Sequence, residues 1–347
     1  MFWNRNKVVY IPYETGGGKI NEYVVNMIKI LQKKYDVCGV LAEPFDLYAV
    51  GKTKAVFLNW VEERLDWRIK LQLRVHKLFG VQIIWVFHNK YPHQVREGDK
   101  RIIKNMKWLA DHADRIMIHS VSSEKHIPNP IHNRRKKVYI PHIMYSKGKG
   151  ELDREKIRKK YGIGEKTFVF TMFGMIKPYK HYEDGICAFK EIGVKDAKLI
   201  LAGDGMDAMY TKYLKTLCHR NDDIILDLRY LAKTELYALM EISDVIVIPY
   251  KNRTSMNSGV MIQAFSNSKT VIVPDICMGR DFADEDFCYR YKNALSKAML
   301  RAYKNGREVN RKMGERAYDY VARYHNEKAV ERQLELMLEK RGGYAEG

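Results

Sequence analysis

One stretch limits the architecture more than any other: Ser243 to Asp275, SDVIVIPYKNRTSMNSGVMIQAFSNSKTVIVPD. Val245 to Pro249 is a short β-branched run suited to a strand buried on both faces, and Thr270 to Pro274 repeats that composition. Ser258 to Phe265 reads as a helix between them. The stretch is therefore a βαβ unit, which commits the chain to a parallel sheet. The loop before the helix carries Asn252, Arg253, Thr254, Ser255, Asn257, Ser258 and Gly259. Hydroxyls, amides and a glycine at a helix start leave backbone N–H groups that favour an anion. Two readings fit: a pocket for a phosphorylated ligand, and an ordinary capped turn.

The chain has 347 residues and is 46% hydrophobic. That exceeds what one core normally holds and predicts two α/β domains. No run reaches the roughly eighteen apolar residues of a membrane span, and Met1 to Lys7 leads straight into a strand. The expectation is a cytoplasmic protein, peripheral on the inner face of the cell membrane. Cys38, Cys187, Cys218, Cys277 and Cys288 are odd in number and lack CxxC spacing, which points to reduced thiols and away from a disulfide frame or zinc knuckle.

The net charge of +19 is unevenly spread: residues 1 to 150 hold 27 Lys and Arg against 13 Asp and Glu, and residues 151 to 347 hold 34 against 29. A basic excess in the first half predicts a polyanionic partner, whether nucleic acid, an anionic membrane surface or a phosphate-bearing substrate; the alternative is a basic surface that only confers solubility. Trp60 to Phe79 reads as a basic amphipathic helix, able to lie in a membrane interface or to pack one face on its own sheet. The second basic run, His132 to Lys137, carries no aromatic residues for base stacking, so nucleic acid is not the expected partner.

In order, Lys7 to Tyr13 reads as a strand, followed by Glu14-Thr15-Gly16-Gly17-Gly18 and a helix from about Ile20 to Lys33. The spacing is not GxGxxG, so a dinucleotide site is not supported, and Gly16, Gly17 and Gly18 serve close approach of a bulky substrate. Further short apolar runs alternate with helical stretches up to Val138 to Ile143. His88 ends the run Gln82 to His88, and Asn89-Lys90-Tyr91-Pro92-His93 follows. A histidine at the carboxyl end of a central parallel strand sits where such sheets place ligands. It can orient a hydroxyl or take its proton, or be a hydrogen-bonded structural histidine. Residues 148 onward restart the pattern. The predicted boundaries are 1–147 and 148–325, with a C-terminal helix over 326–347 returning to the first domain.

Phe173 to Lys180, FGMIKPYK, resembles the FG-x-[IL]-[RK]-P-Y-K-G signature of two-Rossmann-domain (GT-B) glycosyltransferases of the broad family 4 group. LILAGDG, SDVIVIPY, the helix begun by Ser258-Gly259 and KTVIVPD follow at family-like distances. The HN-x-x-PH element at His88 to His93 and the IPH element at Ile140 to His142 resemble capsule or exopolysaccharide members. The resemblance implies an α/β GT-B fold, two Rossmann-like parallel-sheet domains facing a cleft with C-terminal helices crossing back. It implies a UDP- or GDP-linked nucleotide sugar as donor and a lipid-linked glycan acceptor gripped by the first domain.

By the same resemblance Lys180 is the diphosphate lysine and Lys177 a second basic position, with amides at Asn257, Ser258 and Gly259 as companions. Gly203, Asp204 and Gly205, with the Arg229-Tyr230 turn, border base and ribose. On the acceptor side stand Gly16, Gly17, Gly18, His88, Asn89 and His93, with His88 and Glu14 as candidate bases. Three positions depart from the pattern. Met175 replaces a common arginine, and Ser255 and Gln263 fall where an E-x7-E pair stands, which leaves the donor sugar and the stereochemical outcome open. Gln263 can still bond ribose hydroxyls as a neutral amide. Asp284-Glu285-Asp286 reads as a solvated acidic loop, so neither a metal nor another cofactor is expected. Loss of both carboxylates keeps a second function in view, a catalytically weakened subunit that binds nucleotide sugar or scaffolds a partner; a third is a basic nucleic-acid-binding protein.

Overall fold

The computed structural model describes residues 5–12, 21–91, 98–148, 154–205, 207–250 and 256–339; Glu14, Gly16, Gly17, Gly18, His93 and Ser255 lie outside the described residues. The chain divides into two compact units, one of Met1–Ile143, Arg253–Asn257 and His325–Gly347, the other of Met144–Asn252 and Ser258–Tyr324. Each holds a six-stranded parallel sheet covered by helices, the predicted α/β architecture.

In the first unit β1 (Lys7–Ile11), β2 (Asp36–Cys38), β3 (Thr53–Asn59), β4 (Gln82–Val86), β5 (Arg115–Ile118) and β6 (Lys137–Tyr139) pair in the order β2-β1-β3-β4-β5-β6. Every residue of β4 is buried, as a strand with helices on both faces requires. The Glu22–Gln32 helix starts at Asn21, whose side chain accepts from the Tyr23 N–H. Its Val24, Met27 and Leu31 pack with Val330, Leu334 and Leu338 of the Glu327–Glu339 helix over Val8, Phe57 and Ile84. Exposed pairs from Lys33 and Lys34 to Glu327, Glu331, Glu335 and Glu339 join the same two helices and contribute little beside that apolar contact.

The helix expected over Trp60 to Phe79 is shorter. It runs from Trp67 to Leu78, because Asp66 caps it by accepting from Ile69 N at 2.9 Å, and Val61 and Leu65 are buried in the turn before it. It also lacks the apolar inner face expected of it. Only Leu73 and His76 are buried, while Trp67, Leu71 and Leu78 stand outward at 69%, 45% and 86% exposure. Among the described residues no helix is long and apolar enough to cross a membrane.

In the second unit β7 (Phe168–Phe173), β8 (Ala197–Ala202), β9 (Ile224–Asp227), β10 (Val245–Val247), β11 (Val271–Pro274) and β12 (Cys288–Tyr291) pair in the order β12-β11-β10-β7-β8-β9. The Ser243 to Asp275 stretch forms the expected βαβ unit, with Ile246 beside Val271 and the helix over Gly259–Ser266. β12, which the sequence did not announce, extends the sheet beside β11. The segment Leu295–Tyr324 is helical on both sides of Gly306, where φ of +75° breaks the helix. All five cysteines are free thiols.

Candidate functional site

Strand order reverses between β7 and β10 in the second sheet, so the loops leaving these two strands diverge and open a crevice beyond their carboxyl ends. The loop after β7 begins at Gly174, with φ of +111°, and lies against the loop after β8 through Gly203, with φ of +147°. A Cβ on Gly203 would stand 2.0 Å from the Gly174 carbonyl oxygen, so only glycine permits this backbone contact. Gly174 N–H donates to Ala202 O at 3.1 Å and Ile176 N–H to Asp204 O at 2.9 Å, tying the two loops together. Gly205 is small for a similar reason: its Cβ would meet the Thr211 hydroxyl at 2.8 Å.

This scaffold fixes Lys180. Pro178–Lys180 forms one 3-10 turn, His181 takes φ of +51°, and the Tyr182–Ile192 helix begins. Lys180 is only 7% exposed. Its ammonium lies over the rings of Tyr182 and Tyr250, at 6.0 and 5.6 Å from their centroids, and among the described residues it has no carboxylate partner. Burial, and secondarily the charge of half-buried Lys177, pull Lys180 from the ordinary 10.5 down to about 7. Lys180 Nζ and Val260 Cγ2 lie 3.1 and 3.5 Å from the point where a Gly174 Cβ would stand, which places the ammonium beside the first turn of the Gly259–Ser266 helix. Buried Ser258 caps that helix by accepting from Met261 N at 3.2 Å and also hydrogen-bonds Tyr250. Asn257, just before the cap, has a buried Nδ2 without a hydrogen-bond partner among the described residues. Gln263 lies one turn into the helix, half-buried.

Cation, capped helix start and glycine-bounded loops thus meet at one strand end, as an anion site requires. Of the other residues that the resemblance assigned to the donor, Arg229 is ion-paired within its own turn. Arg229 forks onto Glu235 at 3.0 and 2.5 Å and pairs with Asp227 at 2.9 Å, holding Glu235 down at about 2. Tyr230 is 59% exposed. Asp284 and Asp286 are exposed, Glu285 is half-buried and Asp286 pairs with Arg316; no group of three or more His, Cys, Asp or Glu able to hold a metal occurs among the described residues.

The first unit carries a second constellation, beyond the carboxyl ends of β3 to β6. His88 is buried; its Nε2 lies 2.9 Å from Asn59 Oδ1, and its ring stacks on Trp60 with centroids 4.2 Å apart and planes at 17°. Asn89 follows it, half-buried. Tyr23 meets His88, His119 and His142 with centroids 5.0 to 5.1 Å away. His119 Nδ1–H donates to Ile140 O at 2.7 Å, so its Nε2 accepts from the Tyr23 hydroxyl, also at 2.7 Å. Burial holds His119 at about 4 and His142 at about 3, both neutral at pH 7. Of this group the sequence singled out His88 and, as the end of the IPH element, His142; Tyr23, Asn59 and His119 join them from strand ends and a helix start far apart in the chain. His119 lies next to last in the apolar run Asp114 to Ser120, a place in the chain like that of His88, and this was a signal for it.

Two parallel-sheet units of this topology make the fold that of the GT-B proteins. Solved structures of that fold align over almost the whole chain. Alr3699/HepE from Anabaena, determined with UDP, has a TM-score of 0.72 at 12% identity, covering 96% of this chain and 98% of that one. Sucrose-phosphate synthase from Thermosynechococcus elongatus has 0.70 at 14%, covering 96% and 98%. A glycosyltransferase from Rickettsia africae has 0.69 at 14%, with the same two coverages. Residues 153–320, which include β7 to β12 and the Lys180 loop, match the family model described as Glycosyl transferases group 1. No curated protein matches the sequence.

Proposed function

We propose that this chain is a glycosyltransferase of the family 4 type. It moves a sugar from a UDP- or GDP-linked donor to a lipid-linked glycan acceptor in capsule or exopolysaccharide assembly, without a bound metal or other cofactor. The observation that carries this reading is Lys180, a buried ammonium without a carboxylate partner among the described residues, beside a capped helix start at a topological switch point. Breaking the sugar–phosphate bond leaves negative charge on the departing diphosphate. A fixed cation and helix-end N–H groups stabilise that charge without reorganising. The glycosyl transferases group 1 match covers this site, and the similar Anabaena protein binds UDP and UDP-glucose.

In this reading the diphosphate sits against Lys180, Lys177 and the N–H groups near Ser258 and Gly259. Asn257 Nδ2 is a donor in need of an acceptor, and Gln263 faces the ribose. Gly203, Asp204 and Gly205, with Arg229 and Tyr230, border the nucleoside. His88 receives or orients the acceptor hydroxyl; Glu14, Gly16, Gly17, Gly18, Asn89 and His93 complete the acceptor side, and Ser255 touches the donor sugar. Thermal shift with UDP, GDP, CDP and their sugars tests the donor, since a ligand binding the folded state stabilises by RT ln(1 + [L]/Kd). One nucleotide diphosphate should stabilise the wild type and leave Lys180→Met unmoved; equal stabilisation of both proteins overturns the site.

Contact with the inner membrane face rests on the Trp67–Leu78 helix. Its outward Trp67, Leu71 and Leu78 lie among Arg64, Arg68 and Arg74, matching an interface of apolar tails and anionic headgroups. Trp67→Ser with Leu71→Ser should abolish co-sedimentation with phosphatidylglycerol vesicles; undiminished binding removes the helix from the membrane reading.

A further inference from the structure

Two neighbouring helices of the first unit gather cations round one indole. The Trp67–Leu78 helix sets Lys70 and Arg74 one turn apart, and the Lys100–His112 helix does the same with Lys104 and Trp108. Lys70 Nζ donates to Asn105 Oδ1 at 2.8 Å, and buried Asn105 donates through Nδ2 to Glu62 O, also at 2.8 Å, so the two helices are tied together at this level. Half-buried Trp108 has Lys70 Nζ and the Arg74 guanidinium carbon over its ring, 5.7 and 5.9 Å from the centroid. Burial first, then the charges of Lys104 and Arg74, lower Lys70 from the ordinary 10.5, while Asp66 acts the other way and more weakly. Three cations therefore lie in one another's field.

Elsewhere the unit pairs its helix cations. Lys77, at the far end of the same helix, meets Asp114 at 2.9 Å, and Lys33 and Lys34 meet glutamates of the last helix. Among the described residues Lys70, Arg74 and Lys104 have no ion pair, and neither have Lys100, Arg101 and Lys107 on the second helix. Like charges without a counter-charge repel, so this face favours an anion. Trp67 and Leu71, at 69% and 45% exposure, stand outward on the first helix. A soluble polyanion would leave both in water, whereas a bilayer interface takes apolar side chains and cations together. We propose that this two-helix face docks on an anionic lipid surface, with Lys70, Arg74 and Lys104 closing on one lipid phosphate group beside the Trp108 indole. The inference rests on the membrane reading above and deepens it, adding the second helix and a clamp in which two ammonium groups and a guanidinium fork donate to the phosphate oxygens.

Co-sedimentation of the full chain with phosphatidylglycerol vesicles tests the clamp against diffuse attraction. The control triple Lys100→Gln, Arg101→Gln, Lys107→Gln removes three cations from the same face and should weaken binding by about fivefold for each. The clamp triple Lys70→Gln, Arg74→Gln, Lys104→Gln should weaken it at least about tenfold more than the control, since it also loses the charge-assisted hydrogen bonds. Equal losses in the two triples overturn the clamp. If the clamp triple melts below the wild type, the exposed pair Arg74→Gln, Lys104→Gln, set against Lys100→Gln, Lys107→Gln, should show the same excess loss, and equal losses there overturn the clamp as well. Calorimetry with inorganic phosphate separates the lipid from a soluble source. Saturable phosphate binding that the clamp triple abolishes, with equal vesicle binding by both triples, makes the ligand free phosphate and overturns the lipid as occupant. If the wild type itself fails to sediment with the vesicles, the membrane reading falls and the clamp with it; sedimentation of the wild type with equal losses in the triples sinks the clamp alone.

Discussion

At the end of β7 a lysine is buried with no carboxylate partner among the described residues, whereas at the ends of β4 to β6 three imidazoles are buried beside partners suited to the neutral ring. The burial is similar, at 7% exposure for Lys180 and 5% for each of His88, His119 and His142. The partners differ. His119 has a carbonyl for its N–H and a hydroxyl for its lone pair, so the neutral ring loses little by leaving water. Lys180 has two aromatic rings and a like charge, so burial disfavours its ammonium and an arriving anion would favour it. One strand end disfavours the charge it carries, and the other keeps its imidazoles neutral, a contrast that the proposed function assigns to a diphosphate and to an acceptor hydroxyl.

The contrast breaks first if Lys180 is dispensable. Lys180→Met should lower turnover at least about a hundredfold, the order of effect for losing one preorganised donor to developing charge, and steady-state release of UDP checks it. The free enzyme protonates Lys180 only below about 7, and a bound diphosphate favours the charged form. UDP affinity should therefore fall as pH rises above 7, by up to about tenfold per unit, relative to Lys180→Met, in which calorimetry should find this component missing. The same shift acts on stability without ligand. Unfolded lysine holds its proton up to 10.5 and folded Lys180 only up to about 7, so unfolding takes up a proton between those values. Stability then rises with pH across that window by up to about 1.4 kcal/mol per unit, a slope that Lys180→Met should remove in urea titrations.

The histidine side sharpens the comparison with a smaller effect. Tyr23→Phe leaves the His119 lone pair unpaired and should cost about 1 to 3 kcal/mol of stability, with UDP affinity unchanged by calorimetry. EDTA should alter neither turnover nor UDP binding; loss of turnover on chelation, restored by a divalent cation, would end the metal-independent reading.

The sheets were legible because their central strands are short apolar runs: KVVYI, QIIWV and FVFTMF are buried on both faces and carry the signal in composition alone. β12 escaped because CYRY at a sheet edge is half exposed, with Arg290 held by Asp275, and lacks β-branched residues. The Trp60 helix was drawn too long because apolar residues at helical spacing do not reveal that Val61 and Leu65 are buried by a turn. The Lys180 loop could be read from its motif and the Ser258 cap from residue type. The Tyr23 to His119 contact spans 96 positions and left no pattern. Arg229, which the resemblance set beside base and ribose, is paired with Glu235 and Asp227 by a fork that the folded turn brings together.

The touching backbones of Gly174 and Gly203 make the Lys180 loop a joint property of two strands. Any side chain on Gly203 must push the Gly174 carbonyl aside, and the ammonium 3.1 Å from the Gly174 Cβ position has to move with it. An alanine at residue 203 would therefore look, in a nucleotide titration, like damage to a lysine it never meets. In the proposed function, variation at this position informs on donor affinity as directly as variation at Lys180 itself, and one loop then answers to two residues.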